Sequence, residues 1–197
     1  MKSTWASDRV HRRAEKEGYR SRAAYKLLEI QDRFHVVRRG DTVIDLGAAP
    51  GSWLQVLTGL TGGPILGVDL QPIPTLPGVT TIVGDFTDPP VRDQIRAAIP
   101  GASVLISDAA PHLSGNRTVD QARSVGIGEE ALDLACTVLS PGGNIVIKSF
   151  QGEDFNELLA RVRTLFRSVH VFRPTVTRRG SRECYIIGRN FGGSGNC

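Results

Sequence analysis

The sequence lacks a long apolar run, a secretory leader and a metal-binding arrangement of cysteines. No apolar run approaches the roughly 20 residues that span a bilayer, and the N-terminal stretch MKSTWASDRVHRR has no apolar core of the kind found in signal peptides. The three cysteines, Cys136, Cys184 and Cys197, are scattered and odd in number, without the short spacings that ligate metals. We therefore expect a cytoplasmic protein that binds no metal.

Extremes of composition are also absent. Hydrophobic residues make up 40% of the 197 positions and charged residues 22%, and both values are typical of globular proteins. The length allows one ordinary domain with a full core but falls short of two. The sequence predicts a basic N-terminal arm over residues 1–20, a single domain over 21–190 and a flexible tail over 191–197.

The net charge of +4 is small but unevenly distributed. Residues 1–39 contain 11 lysines and arginines against 5 acids, so most of the excess positive charge lies there. A second basic cluster near the C-terminus consists of Arg173, Arg178, Arg179, Arg182 and Arg189. Such clusters attract polyanions by neutralising phosphates, although a solvated, salt-bridged surface would have the same composition.

Strand-like and helix-like segments alternate along the chain. Strand patterns lie at 42–47, 65–70, 79–85, 103–108 and 142–149, and helix patterns lie at 21–34, 52–60, 90–99, 118–139 and 153–166. Two final strands, at 168–174 and 183–189, have no helix-length connection, so we expect them to form a hairpin. This alternation predicts an α/β fold in which helices cover both faces of a mostly parallel sheet.

Charged residues follow several of the predicted strands. The buried strand GGNIVIKS ends near a lysine, and other strands end near acids. Because ligands bind at the carboxyl ends of parallel strands, the residues expected to face one common rim are Asp45, Asp69, Asp85, Asp108 and Lys148.

The stretch DLGAAPGSW (45–53) joins a strand to a helix. Its glycines allow close approach of a ligand, and the helix N-terminus presents free N–H groups to negative charge. It matches neither the dinucleotide fingerprint nor the Walker A sequence, which disfavours a phosphate-containing cofactor. A ligand with a carboxylate fits the same loop.

Two further strand ends complete a cofactor hypothesis. Asp69 follows Gly47 by 22 residues, a spacing suited to a ribose diol, and Asp85 with Phe86 could hold an exocyclic amine beside a stacked ring. Carboxylate, ribose and adenine together describe S-adenosylmethionine. In the structural alternative, Gly47 and Gly51 serve only the turn, and Asp85 only caps a helix.

Seven motifs resemble, in order, those of the FtsJ/RrmJ (RlmE) family of ribosomal RNA ribose 2′-O-methyltransferases. They are RSRAAYKL, DLGAAPGSW, GVDL, GDF, SDAAP, VIKSF and SRECYII, between about residues 20 and 189. The resemblance implies a Rossmann-like class I methyltransferase dependent on S-adenosylmethionine, with seven strands, of which the C-terminal one is antiparallel. Ser52 departs from the family pattern, where glycine is common.

The resemblance also implies site residues. The catalytic set would be Lys26, Asp108, Lys148 and Glu183, with Lys148 as the proton acceptor. The cofactor contacts would be Gly47, Ala48, Pro50, Gly51, Ser52, Trp53, Asp69, Leu70, Asp85, Phe86 and Asp108.

Methyl transfer to a ribose hydroxyl benefits from a positioned base, typically by ~10²–10⁴-fold. No triad based on His, Cys or Ser stands among the rim residues, so Lys148 is the candidate. A free lysine is protonated at neutral pH, and two roles stay open: a neutral general base, or a charged group that stabilises the developing alkoxide. The resemblance favours the base.

RNA is the expected partner, bound by Arg12, Arg13, Arg20, Arg22, Arg178, Arg179 and Arg182. The short chain favours a uridine in the A-loop of large-subunit ribosomal RNA, within the subunit or its precursor, and a monomeric enzyme. Transfer RNA is an alternative substrate. A non-catalytic RNA-binding module is the alternative from another class, whereas the missing dinucleotide fingerprint and the basic arm disfavour a small-molecule methyltransferase or an NAD-dependent oxidoreductase.

Overall fold

The structure, a computed structural model, describes residues 4–177 and 180–193 and confirms the predicted alternation of strands and helices. The elements in chain order are α1 (Thr4–Lys16), α2 (Ala24–Phe34), β1 (Val43–Leu46), α3 (Ser52–Leu60), β2 (Ile65–Asp69), β3 (Val79–Val83), α4 (Pro89–Ala98), β4 (Ala102–Ser107), α5 (Arg117–Val138), β5 (Leu139–Phe150), α6 (Phe155–Leu165), β6 (Phe166–Phe172) and β7 (Glu183–Phe191).

The seven strands form one sheet in the order β3-β2-β1-β4-β5-β7-β6. Strands β1 to β5 run parallel to one another. Strand β7 lies between β5 and β6 and runs antiparallel to both. The predicted terminal hairpin is therefore confirmed. In its register, Lys148 of β5 is paired with Tyr185 of β7, and Phe150 is paired with Glu183.

Apolar side chains cover both faces of the sheet, which explains why its central strands read as continuous apolar runs. Val146 belongs to the core beneath α2 and α3, whereas the next residue, Ile147, belongs to the core beneath α5 and α6. Each such fully buried side chain contributes about 1.5–3 kcal/mol. In the described ranges, no helix is both long and apolar enough to cross a membrane.

Several boundaries differ from the predicted ones. The first predicted helix begins at Ala24 rather than residue 21, because residues 21–23 form a separate turn. The predicted N-terminal arm contains α1, whose sparse apolar residues gave no clear helical pattern. Phe191, placed in the predicted tail, is the buried last residue of β7, and residues 194–197 lie outside the described ranges.

Candidate active site

The carboxyl ends of the strands bring four of the five predicted rim residues together, namely Asp69, Asp85, Asp108 and Lys148. The fifth, Asp45, is buried within β1 instead, because its strand continues to Leu46. Leu46 at the end of β1 is the register partner of Ser107 at the end of β4. The next residues, Gly47 and Asp108, are therefore neighbours, and the Asp108 N–H donates to the Leu46 carbonyl oxygen at 3.1 Å. Lys148 reaches the same point from β5.

Two ion pairs form at this rim. Lys148 Nζ lies 3.0 Å from Asp108 Oδ1 and also donates to the Asp108 carbonyl oxygen. Lys26 Nζ, from α2, lies 2.7 Å from Glu183 Oε1 at the start of β7. The structure thus brings together all four residues that the sequence analysis named as catalytic candidates.

Tyr185, which sequence reasoning did not single out, links the two ion pairs. Its hydroxyl donates to Asp108 Oδ1 at 2.6 Å and lies 3.3 Å from Glu183 Oε1. Lys26 Nζ lies 5.9 Å from the centre of the Tyr185 ring. Strand alternation carried a signal for this residue, because positions 183 and 185 of one strand share a face.

Electrostatics favour the carboxylate form of Asp108 and the neutral phenol form of Tyr185. Burial raises the pKa of the Asp108 carboxyl, but the charges of Lys148 and Lys26 and the Tyr185 hydrogen bond outweigh burial and hold that pKa below its ordinary value. Burial and the nearby Asp108 raise the pKa of the Tyr185 hydroxyl well above its ordinary value. Asp108 is therefore a carboxylate at neutral pH, and Tyr185 remains a hydrogen-bond donor.

A cavity of about 350 Å³ opens beside Asp108, within the range of roughly 300–1,000 Å³ common for small-molecule sites. The predicted cofactor residues that line it are Gly47, Asp69, Leu70, Asp85, Phe86 and Asp108. Residues that sequence reasoning missed also line it, namely Ala49, Gln71, Gly84, Thr87, Ala109, Ala110, His112 and Ile127. For most of these residues, the only signal in the sequence was their position next to a motif.

Two carboxylates organise the walls of this cavity. Asp69 accepts hydrogen bonds from the Ala49 N–H at 2.9 Å and from the Gln71 N–H at 2.8 Å. Asp85 Oδ1 accepts from the N–H and the hydroxyl of Thr87, at 2.9 and 2.8 Å. Each carboxylate fixes the loop after its own strand and retains lone pairs that a ligand can use.

The positions of Asp85 and Gly47 bear on the structural alternatives for these two residues. Asp85 is not the N-cap of α4, since that position is occupied by Asp88. Gly47 has a φ of 75°, and a Cβ there would lie 2.6 Å from the Ala109 backbone. Glycine is therefore required where the β1 and β4 loops meet at the cavity.

Five predicted cofactor residues do not line the cavity: Ala48, Pro50, Gly51, Ser52 and Trp53. Trp53 is buried, donates its indole N–H to the Ala23 carbonyl oxygen at 2.8 Å and packs on the Tyr185 ring at 5.9 Å. Its position in the motif suggested a ligand contact, whereas its contacts hold α2 and α3 together.

Arg20, predicted to contact RNA, connects two loops through its guanidinium. Its guanidinium donates to the carbonyl oxygens of Pro50, Pro74 and Thr75, at 3.0, 2.8 and 3.0 Å. Gly51 has a φ of 101°, and a Cβ at that position would collide with Arg20 Nη1. No local sequence pattern predicts this long-range bridge.

The remaining arginines predicted to contact RNA are partly accessible. Arg22 is half-buried just before α2, and Arg178 and Arg179 lie outside the described residues. The exposed ones are Arg12, Arg13 and Arg182. In residues 4–177 and 180–193, no group of three or more His, Cys, Asp or Glu side chains is arranged to hold a metal ion.

Asp45 is fully buried in β1, and neither of its carboxylate oxygens has a hydrogen-bond partner within the described ranges. Burial, followed by the charges of Asp108 and Asp69, raises its pKa well above the ordinary value. The folded state therefore favours the neutral acid form of Asp45.

We expect Asp45→Asn to stabilise the fold increasingly as the pH rises. The folded protein keeps a proton on Asp45 that the unfolded chain releases above about pH 4, so this group lowers wild-type stability by up to about 1.4 kcal/mol per pH unit until the folded-state carboxyl ionises. Asparagine does not titrate. Thermal unfolding between pH 4 and 8 should show a Tm difference that widens with pH, with exposed Asp93→Asn as the control. A difference that is constant with pH would contradict this assignment.

The strand order, the antiparallel β7, the glycine-containing loop after β1 and the cavity at the carboxyl edge together define a Rossmann-like, class I methyltransferase. This agrees with the fold class expected from the sequence. The chain belongs to the family of FtsJ-like methyltransferases, whose family model matches residues 19–191.

Curated relatives resemble nearly the whole chain. The "Ribosomal RNA large subunit methyltransferase E" of Methanoculleus marisnigri is 60% identical over 195 residues, which cover 98% of this chain and 96% of the relative. The protein of the same name from Methanocorpusculum labreanum is 58% identical over 191 residues, covering 97% and 94%.

Solved structures agree at the level of the fold. A protein from Plasmodium falciparum, described as a ribosomal RNA methyltransferase, superposes with a TM-score of 0.80 at 27% identity, covering 89% of this chain and 100% of that one. Human methyltransferase-like protein 13, solved in complex with SAH, has a TM-score of 0.58 at 13% identity, covering 85% and 79%.

Proposed function

We propose that this methyltransferase transfers a methyl group from S-adenosylmethionine to a ribose 2′-hydroxyl of RNA. The observation that carries the proposal is the position of Asp108, which both lines the cavity and accepts a hydrogen bond from Lys148. One side chain thereby joins a cofactor-sized cavity to an amine suited to activate a hydroxyl. The names of the relatives support large-subunit ribosomal RNA as the substrate.

The lining residues suit S-adenosylmethionine. Asp69 has free lone pairs for a ribose diol, and Asp85 with Phe86 suits an adenine. Gly47 lines the cavity at a position where a Cβ would collide with the Ala109 backbone. The cofactor would supply a methyl group on a sulfonium, and the chain would orient that group towards Asp108 and Lys148.

In the proposed mechanism, Lys148 accepts the proton of the ribose 2′-hydroxyl. Lys148 is 7% exposed, and its hydrogen bonds hold Nζ beside Asp108, which lines the cavity. The general-base role requires the neutral amine, so the lysine of the Asp108 ion pair would give its ammonium proton to solvent before the reaction. Lys26 and Glu183 position the ribose, and Tyr185 fixes the Asp108 carboxylate, so that alignment of the reacting atoms contributes much of the rate.

The direct test is methylation with labelled S-adenosylmethionine of three RNAs: large ribosomal subunits, free large-subunit RNA and transfer RNA. We expect the label in large-subunit RNA, at a uridine of the A-loop, with the linkage after that ribose resistant to alkali. Label in transfer RNA alone would favour the alternative substrate. Absence of ribose methylation in all three would refute the proposal. We further propose that the enzyme is a monomer in the cytoplasm. Sedimentation of the purified active enzyme tests the first point, and fractionation of cells tests the second.

The exposed arginine Arg12 should contribute to RNA affinity through phosphate neutralisation. We expect Arg12→Ala to reduce the slope of log affinity against log salt by about 0.7–0.9, because one phosphate contact is lost. Fluorescence anisotropy with a labelled A-loop oligonucleotide at several salt concentrations measures this slope. Arg163→Ala removes an exposed charge from α6 and serves as the matched control. Equal slopes for the two variants would remove Arg12 from the RNA surface.

A further inference from the structure

A second cavity, of about 190 Å³, opens close to the catalytic cluster. This volume lies below the roughly 300 Å³ at which small-molecule sites begin, so it suits a single ring system better than a whole nucleotide. Its walls come from the loop before α5, the start of α5, the end of β5 and the loop before β7, and include Leu113, Arg117, Gln121, Phe150, Ser181 and Arg182.

The second cavity is adjacent to the point where methyl transfer is proposed. Phe150 in its wall follows Lys148 by two residues on β5 and is the register partner of Glu183. Two residues of a strand span roughly 7 Å. A nucleotide whose ribose lies at Lys148 therefore has its own base, or that of its neighbour, within reach of the cavity.

The walls combine apolar surface with positive charge. Leu113 is 69% exposed and Phe150 is half-buried, so both present apolar area on which a splayed base can stack. Arg117, at the start of α5, and Arg182, in the loop before β7, are both exposed and can neutralise flanking phosphates. This combination is the chemistry by which proteins bind single-stranded RNA.

One polar side chain in the wall lacks a partner. Gln121 is 7% exposed and lines the cavity, and its amide has no hydrogen bond to any described residue. The adjacent Asp120 carboxylate, in contrast, accepts hydrogen bonds from Ser114 and Gly115 and so orders the loop before α5. The polar atoms of Gln121 are not among the enclosed ones that lack a partner in the described part of the chain, so the amide is open to the cavity, where a ligand can complete its hydrogen bonds.

The backbone also shapes this position for Gln121. A Cβ at Gly152 would overlap the amide group of Gln121. Glycine at 152 therefore allows the amide to lie flat against the chain that follows β5. An amide held in this way can donate to and accept from the edge of a base.

We propose that the second cavity is a base-reading subsite in which Gln121 recognises one unstacked RNA base next to the methylated ribose. This proposal rests on the proposed function, because it assigns specificity to the same reaction. The base belongs either to the methylated nucleotide or to its immediate neighbour. The base of either nucleotide presents the same kind of hydrogen-bonding edge. Oligonucleotides substituted at one position at a time show which of the two nucleotides is recognised.

The experiment measures kcat/KM for A-loop oligonucleotides that carry each of the four bases at the methylated position or at either neighbour. For wild type we expect a preference of about tenfold or more at one of these positions. Gln121→Leu should reduce that preference to near unity, mainly through kcat/KM for the preferred base, with unchanged affinity for S-adenosylmethionine. Gly152→Ala displaces the same amide without altering Gln121 itself, and we expect the same loss of preference.

Gln94→Leu makes the matched change on the exposed face of α4 and should retain the wild-type preference. If both Gln121→Leu and Gly152→Ala fold and keep the wild-type preference, the subsite assignment is wrong while the methyltransferase remains. If wild type methylates no RNA ribose, both proposals fall. Thermal unfolding of each variant shows whether it folds. If one of Gln121→Leu and Gly152→Ala does not fold, the base preference of the other variant tests the proposal.

Discussion

Replacing Lys148 by alanine is expected to lower the rate of methyl transfer by ~10²–10⁴-fold, the usual contribution of a positioned base. The lysine amine is the only proposed proton acceptor at the rim, and it is held by Asp108 at 3.0 Å. Cofactor affinity should change little, because Lys148 does not line the cofactor-sized cavity. Single-turnover methylation and calorimetric titration with S-adenosylmethionine measure the two quantities.

Lys148→Arg separates the two chemical roles that the sequence left open. Arginine keeps the positive charge beside Asp108 but does not lose its proton in proteins. If Lys148 acts as a base, the arginine variant should be nearly as slow as the alanine variant. Substantial activity in the arginine variant would instead assign the lysine to stabilisation of the alkoxide, and full activity in the alanine variant would exclude it from the mechanism.

Asp69→Ala should weaken the binding of S-adenosylmethionine by about 10²–10⁴-fold, as expected when two hydrogen bonds from the ribose to a charged group are lost, each contributing ~1.5–3 kcal/mol. The Asp69 carboxylate holds the Ala49 and Gln71 backbones at 2.9 and 2.8 Å, and both residues line the cavity. The substitution therefore removes a proposed ribose contact and loosens two walls at once. Calorimetric titration measures the affinity.

Asp93→Ala provides the control for this experiment. Asp93 forms an exposed ion pair with Arg96 on α4, and pairs of this kind contribute little. Its variant should bind the cofactor like wild type. Equal affinities for wild type and Asp69→Ala would contradict the assignment of Asp69 to the cofactor.

Much of the fold could be predicted from the sequence because both faces of the sheet are buried. Continuous apolar strands alternating with amphipathic helices leave few arrangements, and the short connection before β7 requires a hairpin. The rule that ligands bind at the carboxyl ends of strands placed Asp69, Asp108 and Lys148 on one rim, where the structure has them.

Features that depend on contacts between distant loops could not be predicted. The bridge from Arg20 to the Pro50 and Pro74 carbonyls joins segments 30 and 54 residues apart, and no local pattern encodes it. Position in a motif also does not say which way a side chain points, so the burial of Trp53 in the core could not be predicted. The lack of hydrogen-bond partners for the Asp45 carboxylate depends on which side chains surround it in the fold, and the sequence alone does not show these.

The insertion of β7 between β5 and β6 has a consequence for synthesis of the chain. When translation has passed β6 but not β7, β5 presents an unpaired edge that includes Ile145 and Ile147, and such an edge invites pairing with other chains. Glu183, the partner of Lys26, arrives with the same strand that closes this edge. A chain interrupted before β7 should therefore be both aggregation-prone and inactive. Premature termination is thus expected to produce a substrate of chaperones and proteases and not a partly active enzyme.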